Sequence, residues 1–280
     1  MKNVTKVLAC LAMILALLPS STVQAASPET SGAKTGQTVF TNACDMAGYI
    51  YAGYYHCSTA VNPDFNGPIH IVQAELHKDN KTTPVYLVGI SGTELIFNQP
   101  TNIITDLKCG FEQDNYYLRE IVNVICDNVP IGSNLIITGH SLGGMEAQQA
   151  SGNLRLKLRY NILNVVSFGS PLITPEKREG TLRRLGDKAD IVPYLSVNTI
   201  QRPVQQILGL EQEDGGYGKD FAEAHMRSYL REDVWGDYDV LGFKGGNATL
   251  TLQADEVEGY GAYIIPWLKS LPTIDLSPWS

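Results

Sequence analysis

The stretch of sequence that most restricts the fold of this chain is Gly139–Gly144, which reads GHSLGG. An apolar run at 135–138 precedes it, and a segment with the apolar periodicity of a helix follows it. The pattern therefore predicts a strand, a sharp turn and a helix in immediate succession. Because the turn is tight, a side chain at position 139 or 143 would collide with neighbouring backbone. Such a turn would hold the Ser141 hydroxyl above the edge of a sheet.

A Gly-x-Ser-x-Gly motif between a strand and a helix resembles the nucleophile elbow of α/β-hydrolases. The resemblance implies that Ser141 is a nucleophile. The Leu142 amide, at the N-terminus of the helix, would then be one donor of an oxyanion hole. The motif occurs in many loops, and the flanking strand and helix are what make it specific here.

The first 25 residues have the three parts of a signal peptide. Lys2 and Lys6 flank a short n-region, Val7–Leu18 is an apolar h-region, and Val23–Ala25 fits the small-x-small cleavage rule. The alternative, a membrane anchor, needs roughly 20 apolar residues, which this segment does not have. We therefore expect an exported protein without a transmembrane segment, either extracellular or periplasmic.

The charge of the remaining chain disfavours some classes of partner. Without Lys2 and Lys6, 19 basic residues (21 − 2) face 29 acidic residues, which gives a net charge of −10 (19 − 29). This balance argues against binding to nucleic acid or to anionic lipid, and it suits a neutral ester. The spacing of cysteines and histidines does not fit zinc, so no metal and no organic cofactor is expected.

Four cysteines follow the predicted cleavage site: Cys44, Cys57, Cys109 and Cys126. In an exported chain they predict two disulfides, with three possible connectivities. If 44–57 is helical, its ends lie about 20 Å apart, whereas a disulfide needs Cα atoms within about 7 Å. Bridges that join the first pair of cysteines to the second are therefore favoured. Glycines within 44–57 leave local pairing open.

Strand-like and helix-like segments alternate along the chain. This order predicts an α/β fold, a doubly wound and mostly parallel sheet with helices on both faces. Residues 26–40 are predicted to form a flexible leader and 41–280 a single domain. The predicted helices are 42–56, 113–127 and 142–157, with helical character also near 94–107. The predicted strands are 69–76, 84–90, 134–138, 163–168 and 248–252. In the third helix the expected buried residues are Ala147, Ala150, Leu154 and Leu158.

A serine nucleophile needs a base and a group that orients the base. In α/β-hydrolases these follow the serine in the order acid, then histidine. His225 is the one histidine after Ser141, so it is the predicted base, the alternative being a solvated histidine at a helix start. Asp190 is the preferred acid because the apolar residues after it would seat its carboxylate. Asp187 is expected to lie solvated in a polar turn.

The second oxyanion donor should come from the loop after an early strand. Residues 85–90 lead into Ser91-Gly92-Thr93, where Gly92 permits a close approach of the backbone and Thr93 offers an amide and a hydroxyl. The alternative is an ordinary Ser-Gly turn.

Several motifs in the same order resemble class 3 (fungal-type) lipases, over about half of the chain. They are Ser91-Gly92-Thr93, Asp106-Leu107, Gly139–Gly144, Ser167–Pro171, Asp190–Pro193, and His225 with Tyr229. The resemblance implies a lipase fold in which Ser141, Asp190 and His225 form the triad. It also implies that Thr93 and Leu142 form the oxyanion hole.

The resemblance further implies a lid between the oxyanion loop and Asp106. The apolar residues there are Leu95, Ile96, Phe97, Ile103 and Ile104. They would cover the site in water and turn toward lipid when the lid opens; a buried core helix has the same pattern. The chain departs from the family at Ser91, where Arg is common, and at Lys108–Phe111, where His-x-Gly-Phe is common.

The predicted function is a secreted serine ester hydrolase that cleaves acyl-glycerol esters, with a lipid or other hydrophobic ester as partner, including at a lipid–water interface. Phospholipase A1, short-chain carboxylesterase and acyltransferase activities would use the same residues. A lipid-binding module on a lipase-like scaffold is the alternative that is not an enzyme.

Overall fold

A computed structural model describes residues 38–54, 57–58, 68–92, 115–173, 178–194, 209–253, 258–260 and 274–275, of which 57–58 and 274–275 are described as backbone. The helices are α1 (Ala43–Tyr51), α2 (Tyr116–Asn128), α3 (Leu142–Ala150), α4 (Leu154–Arg159), α5 (Phe221–Arg227) and α6 (Glu232–Trp235). The strands are β1 (Val39–Phe40), β2 (Cys57–Ser58), β3 (Ile69–Lys78), β4 (Lys81–Ile90), β5 (Asn134–His140), β6 (Asn161–Phe168), β7 (Thr181–Asp187), β8 (Leu210–Glu213), β9 (Thr249–Leu252), β10 (Glu258–Tyr260) and β11 (Ile274–Asp275).

Within the described ranges, nine strands form one mixed sheet in the order β1-β9-β3-β4-β5-β6-β7-β8, with β10 paired to β3. Strands β4 to β8 run parallel, whereas β1, β9, β3 and β10 are joined by antiparallel pairs. The carboxyl ends of β4, β5, β6 and β7 therefore meet at one edge of the sheet, where ligands of open α/β sheets bind.

The two faces of the sheet carry separate hydrophobic cores because successive side chains of a strand point to opposite faces. Ile136 of β5 packs with α1 and the chain around Trp235, while its neighbours Leu135 and Ile137 pack with α2, α3 and α4. Helices thus cover both faces, which confirms the predicted α/β-hydrolase architecture.

Helix α1 begins with a complete capping box. The Asn42 side chain accepts hydrogen bonds from the amides of Cys44 and Asp45, at 2.9 and 3.1 Å. In return the Asp45 carboxylate accepts one from the Asn42 amide at 3.2 Å. This cap fixes the start of a helix that presses Tyr49 against β4, where its hydroxyl donates to the Leu87 carbonyl at 3.2 Å.

The predicted helix 142–157 is two helices, and its predicted buried face is wrong in the second half. The chain turns at residues 151–153, and the Asn153 side chain caps a new helix by accepting from the amides of Arg155 and Leu156. This restart changes the helical phase. Leu154 and Leu158 are consequently 67% and 76% exposed, while Leu156 is buried.

The predicted flexible leader is wrong for its last two residues. Val39 and Phe40 pair with Thr251 and Leu250 of β9, and the Phe40 ring is buried in the core around α1. The hydrophobic contact of Phe40 is what holds this edge strand in place.

The prediction that all four cysteines form disulfides is wrong for Cys44 and Cys126. Cys44 packs against the α1 core and Cys126 lies in the α2 core, on opposite faces of the sheet, and both are free thiols. Burial raises the pKa of the Cys44 thiol to about 12, which keeps it protonated and unreactive. The side chain of Cys57 and all of Cys109 lie outside the described residues.

None of the helices in the described ranges has the length and apolar character that crossing a membrane requires.

Candidate active site

Ser141 lies at the sharp turn between β5 and α3, as its sequence context predicts. Its backbone has a φ of +56° and a ψ of −122°, a conformation that costs free energy for any residue other than glycine. The turn is held because the Ser141 amide donates to the Phe168 carbonyl of β6 at 2.9 Å. The side chain stays partly exposed at the carboxyl edge of the sheet.

The two motif glycines are required by close backbone contacts. A Cβ on Gly139 would overlap the backbone of Gly143, and a Cβ on Gly143 would overlap the carbonyl of Ile90. The steric prediction for positions 139 and 143 is thus confirmed. Leu142 is the first residue of α3, so its amide belongs to the N-terminal turn of the helix, next to Ser141.

The predicted acid and base come together in the structure. His225 on α5 hydrogen-bonds through Nδ1 to Asp190 Oδ2 at 2.9 Å, and both side chains are buried. The Tyr229 hydroxyl donates to the same oxygen at 2.6 Å, and the Val192 amide donates to Asp190 Oδ1 at 2.9 Å. Three donors therefore fix the carboxylate, and the carboxylate fixes the imidazole.

Gly169 allows this pair to lie directly against the end of β6. Its φ is +53°, and a Cβ there would approach Asp190 Oδ2 to 2.7 Å and His225 Nδ1 to 3.1 Å. Any side chain at this position would push the carboxylate and the imidazole away from the elbow strand.

Asp187 is buried, so the prediction that it is solvated is wrong. It ends β7, and its carboxylate accepts from the amides of Ala189 at 2.8 Å and Gly215 at 3.0 Å and from the Ser228 hydroxyl at 2.6 Å. The sequence pattern missed this because the three donors come from two loops and a helical turn. These contacts make Asp187 a structural carboxylate beside Asp190.

The structure describes the predicted oxyanion loop, which follows β4, as far as Gly92. A Cβ on Gly92 would lie 2.6 Å from the His140 carbonyl and 2.9 Å from Ser141 Cβ, so the loop backbone lies against the elbow. Tyr117 of α2 donates to the Ser91 carbonyl at 2.9 Å, and the Ser91 hydroxyl donates to the Ile50 carbonyl at 2.7 Å. Thr93 and the predicted lid residues Leu95, Ile96, Phe97, Ile103 and Ile104 lie outside the described residues.

His140 is buried beneath the elbow, as expected, and it also contacts His225, the predicted base. Its ring centroid is 4.5 Å from that of His225, and its Nε2 lies 2.9 Å from the His225 carbonyl. Burial first, and then the neighbouring His225, lower the pKa of His140 well below its usual value. Tyr51 of α1 and Tyr54, just after α1, both reach His140. They were expected only as core residues, because nothing in the local sequence pattern marks a contact with a residue so distant along the chain.

A buried glutamate lies in the elbow helix α3. The Asn115 side chain donates to Glu146 Oε1 at 2.7 Å, while Oε2 has no hydrogen-bond partner among the described residues. Burial raises the pKa of Glu146 from 4.5 to about 8, a change that Asn115 partly opposes. The carboxyl group is therefore largely protonated in the folded protein at neutral pH.

Glu146→Gln is expected to remove a pH dependence of stability. The folded state holds the Glu146 proton more tightly than the unfolded chain, so its contribution is complete below pH 4.5 and is lost as the pH rises toward about 8. At roughly 1.4 kcal/mol per pKa unit, the variant should be more stable than the parent by a few kcal/mol at pH 9. Urea unfolding at pH 5 and pH 9 measures this.

Glu232→Gln, at an exposed glutamate, is the matched control and should differ from the parent equally at both pH values. If the free energies of unfolding of Glu146→Gln and the parent differed by the same amount at pH 5 and pH 9, the prediction would be wrong.

The chain is similar to lipases among known proteins. The family model of class 3 lipases matches residues 30–199, more than half of the chain. Among solved structures, a fungal lipase–inhibitor complex is 14% identical with a TM-score of 0.34, covering 58% of this chain and 79% of that one. The Lip2 lipase from Yarrowia lipolytica is 17% identical with a TM-score of 0.28, covering 54% and 72%. No curated protein sequence matches the chain significantly.

The family match includes the strained elbow serine and the buried Asp190, although it ends before His225. The chain belongs to the class 3 lipase family of the α/β-hydrolase superfamily and is a lipase-like ester hydrolase.

Proposed function

We propose that this protein is an exported serine hydrolase that cleaves acyl-glycerol esters with Ser141 as nucleophile, His225 as base and Asp190 as orienting acid. The observation that carries the proposal is the buried hydrogen bond of 2.9 Å between Asp190 and His225, at the sheet edge where the elbow presents Ser141. A histidine so held keeps its proton on Nδ1 and offers Nε2 as a base.

The reaction follows from these roles. Ser141 Oγ attacks the ester carbonyl carbon while His225 Nε2 takes the hydroxyl proton, and the carbonyl oxygen becomes an oxyanion. The amides of Leu142 and Thr93 would stabilise that oxyanion. Collapse breaks the bond to the alcohol, which leaves with the proton from His225. Water then attacks the acyl carbon while His225 Nε2 takes a proton from it. The bond to Ser141 Oγ breaks, the fatty acid is released, and His225 returns the proton to Ser141 Oγ.

The lipid class of the substrate is supported by the family and by the apolar residues of the proposed lid, Leu95, Ile96, Phe97, Ile103 and Ile104. The acidic net charge of −8 favours a neutral ester over an anionic one. Export is supported by the charged, apolar and small-residue parts of residues 1–25. N-terminal sequencing of protein recovered outside the cell tests cleavage after Ala25.

A chain-length series of nitrophenyl esters, measured with and without an emulsion, is expected to separate the candidate activities. A lipase should turn over long acyl chains faster once an interface is present, because opening the lid exposes apolar surface that lipid then covers. A preference for short, dissolved esters would indicate a carboxylesterase. Release of fatty acid from phospholipid at rates above those for triacylglycerol would indicate a phospholipase A1.

Labelling with a fluorophosphonate separates all of these enzymes from a lipid-binding module. The probe should attach to Ser141 with one label per chain and stop turnover. A folded protein that binds lipid but is not labelled would contradict the proposed function.

A further inference from the structure

A chain of hydrogen bonds joins the oxyanion loop to the backbone of the proposed base. The Gly92 amide donates to the Tyr54 hydroxyl at 3.0 Å, and that hydroxyl lies 2.5 Å from His140 Nδ1. On the other side of the same ring, His140 Nε2 lies 2.9 Å from the His225 carbonyl oxygen. The chain thus crosses four separate segments of the fold: the loop after β4, the residues after α1, the end of β5 and helix α5.

The proton positions in this chain are determined by its end members. A carbonyl oxygen can only accept, and the Tyr51 hydroxyl, 3.3 Å from His140 Nε2, donates its own proton to the His225 carbonyl at 3.2 Å. His140 Nε2 therefore carries the proton in its hydrogen bond to that carbonyl. A neutral ring then has a lone pair at Nδ1, which must accept from the Tyr54 hydroxyl. The Tyr54 hydroxyl donates its one proton to His140, and its oxygen accepts from the Gly92 amide. The chain is therefore directional, and each partner is satisfied.

The ring of His140 must stay neutral for this arrangement to hold. It is 1% exposed and tilted by 36° against the His225 ring, with the centroids 4.5 Å apart. A second positive charge there would oppose the imidazolium that forms on His225 during catalysis. The low pKa of His140, caused first by burial, keeps the ring neutral through the working pH range.

We propose that Tyr54 and His140 are positioning residues, which together set the distance between the oxyanion loop and the base. This inference rests on the proposed function. At one end of this chain of hydrogen bonds the Tyr54 hydroxyl holds the amide of Gly92, the last described residue of the oxyanion loop. At the other end of this chain of hydrogen bonds, His140 holds the backbone carbonyl of His225, the proposed base. Displacing a reacting group by about 1 Å can cost on the order of a hundredfold in rate.

Tyr54→Phe tests the proposal because it removes one hydroxyl and keeps the ring. We expect kcat per fluorophosphonate-titrated site to fall on the order of tenfold to a hundredfold, with KM changed little. Tyr49→Phe is the matched control: it lies on α1, is equally buried, and loses a hydrogen bond to the Leu87 carbonyl far from the elbow. Its kcat per titrated site should stay within twofold of the parent.

Equal kcat for Tyr54→Phe and the parent would overturn the proposal, as would an equal loss in Tyr49→Phe. Titration with the probe corrects for misfolded protein, so a purely structural effect would lower the number of sites and leave kcat per site unchanged. Failure of the parent to be labelled would instead refute the proposed function itself.

A measurement on the unaltered protein keeps the proposal testable if the variant does not fold. Nitrogen NMR of the parent should find His140 as the neutral tautomer with its proton on Nε2. A neutral ring with its proton on Nδ1 would have no proton on Nε2 to donate to the His225 carbonyl, so the connection between the oxyanion loop and His225 would be broken. That result would overturn the proposal.

Discussion

Replacing Ser141 by alanine is expected to lower kcat on nitrophenyl esters by on the order of a million-fold. The change removes the atom that forms the acyl-enzyme, while the oxyanion donors and the substrate-binding surface remain. The fold should be unaffected, because alanine keeps the Cβ and the Ser141 amide still donates to the Phe168 carbonyl. Initial rates at matched protein concentration, with circular dichroism as a check of folding, measure the effect.

Ser133→Ala is the matched control for this variant. Ser133 precedes the same strand β5 at its opposite end and is partly exposed like Ser141, and its hydroxyl donates to the nearby Pro130 carbonyl at 2.7 Å. Its activity should equal that of the parent. Turnover by Ser141→Ala above a thousandth of the parent rate would exclude Ser141 as the nucleophile.

Asp190→Asn is expected to reduce kcat by about ten-thousandfold with a smaller effect on KM. The Asn amide would present an N–H where the carboxylate now accepts the Nδ1 proton of His225 at 2.9 Å, which favours the wrong tautomer of the base. The positive charge that develops on His225 would also lose its counter-ion. Steady-state kinetics over a range of ester concentrations separate kcat from KM.

Asp187→Asn distinguishes a catalytic carboxylate from a merely buried one. Asp187 accepts three hydrogen bonds and none of them comes from His225, so its loss should lower the free energy of unfolding by about 1–3 kcal/mol. Its kcat per titrated site should remain within a few-fold of the parent. If Asp187→Asn lowered kcat per titrated site more than Asp190→Asn does, the assignment of the acid to Asp190 would be wrong.

The elbow could be predicted from sequence because its requirements are local. The strand before Ser141, the glycines around it and the helix after it are all encoded within about a dozen consecutive residues. Asp190 and His225 could be predicted as acid and base from the order serine, acid, histidine along the chain, because the topology of the α/β-hydrolase fold constrains that order. In the structure a hydrogen bond joins the two side chains, although their separation along the chain is 35 residues.

The features that the sequence did not predict depend on contacts between distant segments or on small changes of phase. Tyr54 reads as a core aromatic residue, yet it bonds to Gly92 and His140. Leu158 fits the apolar face of one long helix, and a three-residue turn before α4 rotates it into solvent. The even number of cysteines suggested pairing, whereas the sheet separates Cys44 from Cys126.

The edge of the sheet where β9 lies between β1 and β3 also constrains how the molecule assembles. The first strand of the domain has no partner until Thr249–Leu252 arrives from near the other end of the chain. Contacts of such long sequence separation slow folding, because the loop between them must close before any bond is gained. The sheet therefore cannot be completed at this edge until the chain has been synthesised past Leu252.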